Sequence, residues 1–171
     1  MNKLLKNKLV LSTVAALAVM AASQSAQAQS IGVGASVGAA SCTFTTGAGI
    51  TFGIYNPLAA TAALGSSTAT ITCTVGAVPT VSVSNGGSFL VNRRMTDGTA
   101  FLNYSVLTPT NNLTTGVCPA AGAGTPWPAG FVLTAAPSIT ARVYNVCAQL
   151  PAGQSQPTGT YADNITVGIT F

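Results

Sequence analysis

The sequence predicts an all-β protein, a β-sandwich of about seven short strands. Of its 171 residues 48% are hydrophobic and only 5% are charged, and Thr, Ser, Ala, Gly and Val are abundant. Threonine and valine favour strands, and the high hydrophobic fraction argues against disorder. No segment shows the apolar spacing of an amphipathic helix, whereas short apolar runs alternate with turn residues. This succession of strands and turns is typical of a sandwich.

Residues 1–28 form a predicted export signal. Three lysines precede the apolar run 9–22, and small residues at 26–28 offer a cleavage site before Gln29. The alternative, a transmembrane anchor, is disfavoured because the run is shorter than the roughly 20 residues that a span needs. We therefore expect an exported protein without a transmembrane anchor. Removing 28 of the 171 residues leaves 143, enough for one domain with a sizeable core.

The mature chain carries little net charge. Three arginines against two aspartates give a net charge of +1, from Arg93, Arg94, Arg142, Asp97 and Asp163. A nucleic-acid-binding protein needs a basic face that neutralises phosphates. Three arginines without a mature lysine do not make such a face, so we exclude nucleic acid as a partner.

The predicted strands follow one another in chain order, with turn signals such as Asn85-Gly86-Gly87 and Asp97-Gly98 between them. A long loop, residues 108–128, contains four prolines and Cys118, and a disulfide would tether it. The strands are predicted at residues 42–45, 50–54, 68–75, 78–84, 101–107, 130–135, 139–146 and within 159–171.

Both ends of the mature chain alternate strictly. The last segment places Ile165, Val167, Ile169 and Phe171 on one face, which predicts a half-buried strand running to the final residue. We expect the sheet edge at this strand to carry function. The segment 29–40 alternates too, with Ile31, Val33, Ala35 and Val37 on one face. Its glycines weaken it as an independent strand, so it needs a partner; a flexible leader is the alternative.

Four cysteines remain after cleavage, and an exported protein with an even number usually forms disulfides. Of the three possible pairings we favour Cys42 with Cys73 and Cys118 with Cys147. Sequential pairing joins neighbouring strands, and each loop of about 30 residues would contribute about 3 to 4 kcal/mol. A metal site is disfavoured because the chain has no CxxC spacing and no histidine.

The residues for conventional catalysis are missing. The mature chain has only two carboxylates, of which Asp97 lies in a turn sequence, and a glycosidase would need Asp97 and Asp163 to meet across a cleft. A Ser-His-Asp triad needs a histidine, and oxidised cysteines cannot act as nucleophiles. We therefore expect no enzyme activity, no cofactor and no metal.

Two further features have a structural and a functional interpretation. We interpret Trp127, between two prolines, as a packing residue that fixes the long loop; the alternative is a stacking platform for a sugar ring. Arg93-Arg94 is interpreted as a solvated turn between strands, and an anion site is the alternative.

The order and spacing of several short motifs resemble the spore coat protein U domain family, which includes subunits of archaic chaperone-usher pili. The resemblance spans nearly the whole mature chain. The motifs are Ser41-Cys42-Thr43-Phe44, Ile50-Thr51-Phe52-Gly53-Ile54-Tyr55-Asn56-Pro57-Leu58, Thr70-Ile71-Thr72-Cys73-Thr74, Arg94-Met95, Leu102-Asn103-Tyr104 and Gly159-Thr160-Tyr161-Ala162-Asp163.

The resemblance implies an incomplete immunoglobulin-like sandwich at residues 41–171 that lacks its last strand, preceded by a donor-strand extension at 29–40. In such pilins a periplasmic chaperone covers the open groove, and an outer-membrane usher exchanges it for the extension of the next subunit, another copy or a related pilin. The implied function is a structural subunit of a surface fibre that supports adhesion or biofilm formation.

The resemblance also assigns residues. Ile31, Val33, Ala35 and Val37 would be the inserted donor side chains, and Cys42 with Cys73 fits the family's disulfide between the first two strands. The acceptor groove and chaperone contact would be formed by Ile165, Val167, Ile169 and Phe171.

Two alternatives stay open. One is a monomeric secreted coat or binding protein whose sandwich is completed by its own N-terminal strand. The other is a small outer-membrane β-barrel, which a terminal phenylalanine after an alternating strand would suit. Against the barrel stand the four cysteines and the scarcity of aromatic residues for two interfacial girdles.

Overall fold

The computed structural model of the protein describes residues 34–36 and 38–171. The chain divides into two units, Met1–Val37 and Gly38–Phe171. In the first unit, residues 34–36 are exposed and have no regular secondary structure. The predicted export signal lies outside the described residues, as do the donor residues Ile31, Val33 and Val37.

The second unit contains all the secondary structure described. The described part of the chain has eight β-strands and no helix, so it has no helix that could cross a membrane. The strands are β1 (Cys42–Thr46), β2 (Ala63–Cys73), β3 (Thr80–Val83), β4 (Arg93–Thr96), β5 (Phe101–Leu107), β6 (Phe131–Val132), β7 (Arg142–Leu150) and β8 (Val167–Thr170).

The strands form two antiparallel sheets. The larger has the order β1-β2-β7-β5-β4, and the smaller has the order β6-β3-β8. The pair β2 and β7 is the longest, with nine residue pairs from Ala63↔Leu150 to Ile71↔Arg142. In the smaller sheet, β3 pairs with β8 from Thr80↔Thr170 to Val83↔Val167. Because of this order, β1 and β8 each lie at a sheet edge.

The core lies between the two sheets. The larger sheet contributes Ile71, Tyr144 and Val146, and the smaller contributes Val81, all buried in one cluster. Strict alternation makes this possible, because every second side chain of a strand points to the same face. The predicted all-β sandwich is therefore confirmed.

Two disulfides fasten the sandwich. Cys42 pairs with Cys73 across the start of β1 and the end of β2. Cys118 pairs with Cys147 and ties the long loop to the outer face of β7. These are the two pairs that the sequence favoured.

Several strand boundaries were wrong. The segment 50–54 is not a strand: its Gly53 has a φ of 66°, which breaks an extended run, and Ile54 is fully exposed. The strand predicted from residue 68 begins at Ala63, because β2 continues to pair with β7 through its Gly65-Ser66 stretch.

The turn predicted at Arg93-Arg94 is also wrong, because both residues belong to β4, which pairs with β5. Arg93 donates through Nε to the Ser84 carbonyl at 2.9 Å, and Arg94 donates through Nε to the Ser88 carbonyl at 2.9 Å. The Arg94 guanidinium also lies 4.1 Å from the ring centre of Phe101. These bonds hold the β3–β4 connection against the sheet.

Trp127 is a packing residue in the structure. It is 7% exposed, and its ring lies edge-on to Phe131 with 5.3 Å between the ring centres. Its indole N–H donates to the Val81 carbonyl at 3.3 Å, and its main-chain N–H donates to the Val106 carbonyl at 2.8 Å. Trp127 therefore links the long loop to both sheets, which leaves little of its ring accessible to a sugar.

Candidate functional site

The site is a groove of about 670 Å³ between β1 of the larger sheet and β8 of the smaller one. Among the described strands, β1 pairs only with β2 and β8 only with β3. An edge strand presents a row of backbone N–H and C=O groups that can pair with another strand. The groove is lined by Phe44, Thr45, Thr46, Gly47, Ala48, Gly49, Ile50, Ser67, Thr68, Val146, Ile165, Thr166 and Val167.

Apolar side chains form the floor and both walls. Val146 of β7 is 2% exposed and forms the floor, while Phe44 of β1 stands on one wall and Ile165 and Val167 on the other. The three wall residues are half-buried and pack against the main core cluster. The groove is therefore a lateral opening into the hydrophobic core.

The end of the groove beside Gly47 is lined by small and hydroxyl residues. The Gly47 N–H donates to the Thr68 carbonyl at 2.8 Å, and the Ser67 hydroxyl donates to the Ala48 carbonyl. A side chain at position 47 would collide with the Thr68 hydroxyl, so glycine is needed for this close approach. The chain that follows β1 is thus held against β2 and does not fill the groove.

Among the residues that the structure describes, those that line the groove have apolar, small or hydroxyl side chains and none is charged. Such a surface offers burial of apolar side chains and backbone hydrogen bonds, and it offers no charge that would attract an ion. It suits an extended apolar peptide segment that pairs through its main chain.

Of the four predicted acceptor residues, the structure brings two to the groove. Ile165 and Val167 line it. Ile169 packs against the core without lining the groove, and Phe171 is 57% exposed and does not line it either. Of the four predicted donor residues only Ala35 is described, and it is exposed.

Sequence reasoning missed the opposite wall and the floor. Phe44 and Ile50 line the groove from β1 and the segment after it, and Val146 lies beneath them. Cys42 and Phe44 share one face of β1 by alternation, a signal that could have identified Phe44 as inward-facing. Its position beside β8 depends on the order of strands in two sheets, and no local pattern carries that information.

A carboxylate fastens the segment that leads into β8. Asp163 accepts hydrogen bonds through Oδ1 from the N–H groups of Gly87 (2.9 Å) and Ser88 (3.3 Å), and through Oδ2 from the Tyr104 hydroxyl (2.7 Å). Burial, and secondly the bond to Asp163, raise the pKa of Tyr104 well above its ordinary value. We call this arrangement the Asp163 clamp.

The clamp requires close packing around it. Gly86 has a φ of 91°, and a Cβ atom there would collide with the Asp163 carboxylate. Three residues after Asp163, the Thr166 N–H donates to the Ser84 hydroxyl, and the Ser84 N–H donates to the Thr166 carbonyl, both at 2.8 Å. The β8 wall is thus held from the side away from the groove.

The other carboxylate has a separate structural role. Asp97 accepts hydrogen bonds from the N–H groups of Thr99 and Ala100, and these backbone bonds lower its pKa. Within the described ranges, no group of His, Cys, Asp or Glu side chains could hold a metal ion. The two carboxylates thus have different hydrogen-bond partners.

A comparison with solved structures found a protein of similar fold. One solved structure similar to the chain is the crystal structure of the CsuC-CsuE chaperone-tip adhesion subunit pre-assembly complex from archaic chaperone-usher Csu pili of Acinetobacter baumannii. The TM-score is 0.54 at 23% sequence identity, over 78% of this chain and 40% of that one. The likeness shows a shared fold, and this chain spans less than half the length of that neighbour.

The comparison with curated proteins gave no match. The family model described as the Spore Coat Protein U domain matches residues 27–168, which is most of the chain. The motifs from Ser41 to Asp163 that suggested this family lie inside the matched range. The chain belongs to the Spore Coat Protein U domain family.

Proposed function

We propose that the chain is a structural subunit of a secreted surface fibre of the chaperone-usher type, and that it polymerises by donor-strand complementation. The observation that carries the proposal is the apolar groove between the free edges of β1 and β8. A groove open to the core, with an unpaired strand edge on either side, fits an added strand from another chain.

The added strand would be the segment 29–40 of the next subunit, another copy or a related pilin. Its residues Ile31, Val33, Ala35 and Val37 share one face by alternation and would enter the groove, while the backbone pairs with β8 and β1. Bulky and small side chains in this segment match a groove whose lining runs from Phe44 and Val167 to Gly47 and Ala48.

Assembly by donor-strand complementation implies further partners. A subunit that reaches the periplasm with an open groove needs a periplasmic chaperone that covers the groove. An outer-membrane usher then exchanges the chaperone for a donor strand. The structural neighbour is described as a chaperone-tip adhesion subunit pre-assembly complex, which supports the chaperone as a partner. We propose export through the periplasm to the cell surface, where the fibre supports adhesion or biofilm formation, with no enzymatic step.

The first experiment removes residues 29–40 from the mature chain in its native host. We expect a folded, chaperone-bound subunit that no longer gives ladders of multimers on gels after mild denaturation. A matched pair of variants tests the donor face. Ile31→Ser with Val33→Ser should abolish the ladder, whereas Gly32→Ser with Gly34→Ser, on the opposite face, should keep it.

A second pair of variants tests the acceptor. Ile165→Arg places a charge on the groove wall and should block assembly, whereas Thr170→Arg, on the same strand segment but outside the lining, should permit it. Ladders that persist after deletion of 29–40 would refute the proposal. A stable monomer that protects its own N-terminal strand would instead favour the self-complemented coat or binding protein.

A further inference from the structure

Arg142 is a buried cation whose hydrogen bonds are incomplete. It lies on the inner face of β7 and is 9% exposed. Its Nη1 donates to the Thr134 carbonyl at 2.9 Å and approaches the Ala135 carbonyl at 3.5 Å. Its Nε and Nη2 atoms are buried and meet no acceptor among the described residues, and the same holds for the buried hydroxyl of Tyr144.

These donors cannot stay unpaired without a large cost. An arginine in a protein keeps its proton, so it cannot relieve the cost by becoming neutral. Burying an uncompensated charge is far less favourable than burying a neutral polar group. The Tyr144 ring, whose centre lies 5.6 Å from the guanidinium carbon, offers only a partial cation–π compensation.

No acidic side chain of the mature domain is free to act as the counter-ion of Arg142. Its acidic side chains are Asp97 and Asp163, and both already have partners elsewhere. Asp97 accepts bonds within its own turn, and Asp163 belongs to the clamp with Tyr104. A water molecule could satisfy the N–H groups of Arg142 but would leave its charge without a partner.

We propose that the Nε and Nη2 groups of Arg142 and the Tyr144 hydroxyl bind one small monovalent anion, with chloride as the abundant candidate. Nε and Nη2 project from one edge of the guanidinium as a parallel fork, the arrangement that binds anions best. Tyr144 follows Arg142 by two residues, so both side chains lie on the inner face of β7. Neither residue lines the groove, so the site is separate from the polymerisation joint.

The test compares thermal unfolding of the intact mature chain in sodium chloride and in sodium gluconate at equal ionic strength. Gluconate is a much larger anion than chloride, so it should not replace chloride beside these buried donors. Chloride should raise the melting temperature saturably, by about 3–6 °C when it is well above its dissociation constant. Arg142→Met should abolish this difference and Tyr144→Phe should reduce it. Arg94→Met, which removes a different half-buried arginine, should keep it.

Diffraction gives a second readout that does not depend on the stability of any variant. Crystals of the unaltered chain soaked in sodium bromide should show an anomalous peak within hydrogen-bond distance of Nε and Nη2 of Arg142. A bromide peak at that place supports the site. Ordered water there without an anomalous peak, or an equal chloride response in Arg142→Met, would overturn it.

Discussion

Removing the Asp163 clamp should destabilise the domain by an amount that the hydrogen bonds allow us to work out. Asp163→Ala removes two short bonds, from Gly87 (2.9 Å) and Tyr104 (2.7 Å), and a longer one from Ser88 (3.3 Å). A bond to an ionised group contributes about 1.5 to 3 kcal/mol. Since Asp163 is only half-buried, we take the lower figure for each short bond and expect a loss of about 3 kcal/mol in all.

The contribution of the Tyr104 bond can be isolated with a double-mutant cycle. Tyr104→Phe removes only the hydroxyl, so we expect a loss of about 1 to 2 kcal/mol. The double variant should then lose less than the sum of the two single losses, with a coupling of about 1 to 2 kcal/mol. Urea unfolding measures all four proteins, and an unchanged slope would show that the denatured state is comparable.

The clamp also predicts where the loss of structure occurs. Asp163→Ala should raise amide hydrogen exchange selectively at Thr166 and Val167, because the segment entering β8 then loses the clamp and keeps the bonds of Ala162 to Thr96 and of Thr166 to Ser84. Asp97→Ala is the control, since it removes the other carboxylate, which accepts its backbone hydrogen bonds from Thr99 and Ala100 in its own turn. Equal exchange at Thr166 in both variants, or a coupling near zero between Asp163 and Tyr104, would refute the reasoning.

Three further outcomes are expected. Cys118→Ser opens a loop of sequence separation 29 and should lower the free energy of unfolding by about 3 to 4 kcal/mol in urea titrations, with little change in fibre assembly. Trp127→Phe leaves the Val81 carbonyl without its donor and should cost about 1 to 3 kcal/mol by the same measurement. Because hydrogen bonds lower the pKa of Asp97 in the folded state, its stabilising effect is present above its ordinary value of 3.8 and is lost as the pH falls through the lowered value. Between pH 2 and 5, the melting temperature should therefore depend less on pH for Asp97→Asn than for the unaltered chain.

Local patterns predicted the strands where pairing and alternation agree. β5 runs from Phe101 to Leu107 as expected, because its alternate side chains are buried. The segment 50–54 has the same alternation in Ile50, Phe52 and Ile54, but it is irregular, because Gly53 breaks the extended backbone. Periodicity shows which face a strand would bury and says nothing about whether a neighbour is there to pair with it.

The opposite error occurred at β4. Arg93 to Thr96 contains one large apolar residue, Met95, and gives no alternating signal. It becomes a strand because β5 pairs with it and because its two arginines bond to carbonyls of the β3–β4 connection. Both causes are contacts between segments, so the sequence alone could not show them.

In the groove, too, local sequence patterns predicted some residues and contacts between distant segments determined the others. Alternation in the last segment identified Ile165 and Val167, which form one wall. The facing wall and the floor are formed by Phe44 and Val146, which are more than 100 residues apart in sequence and adjoin the groove only through the strand order of the larger sheet. A groove between two sheets is a property of topology, and the sequence patterns identified residues of only one of its walls.

The positions of the disulfide and hydrogen bonds at β1 and β8 explain how such a groove could stay open. An edge strand with one neighbour tends to fray or to pair with any exposed strand. The β1 wall is held by the Cys42–Cys73 disulfide at one end and by the bond from Gly47 to Thr68 at the other. The β8 wall is held by Ser84 and by the Asp163 clamp. The disulfide and the Gly47 bond join β1 to β2, and Ser84 directly follows β3, whereas the clamp also joins the segment before β8 to Tyr104 of β5 in the larger sheet. These contacts leave the outer edges of β1 and β8 unpaired among the described strands, where the proposed donor strand would pair.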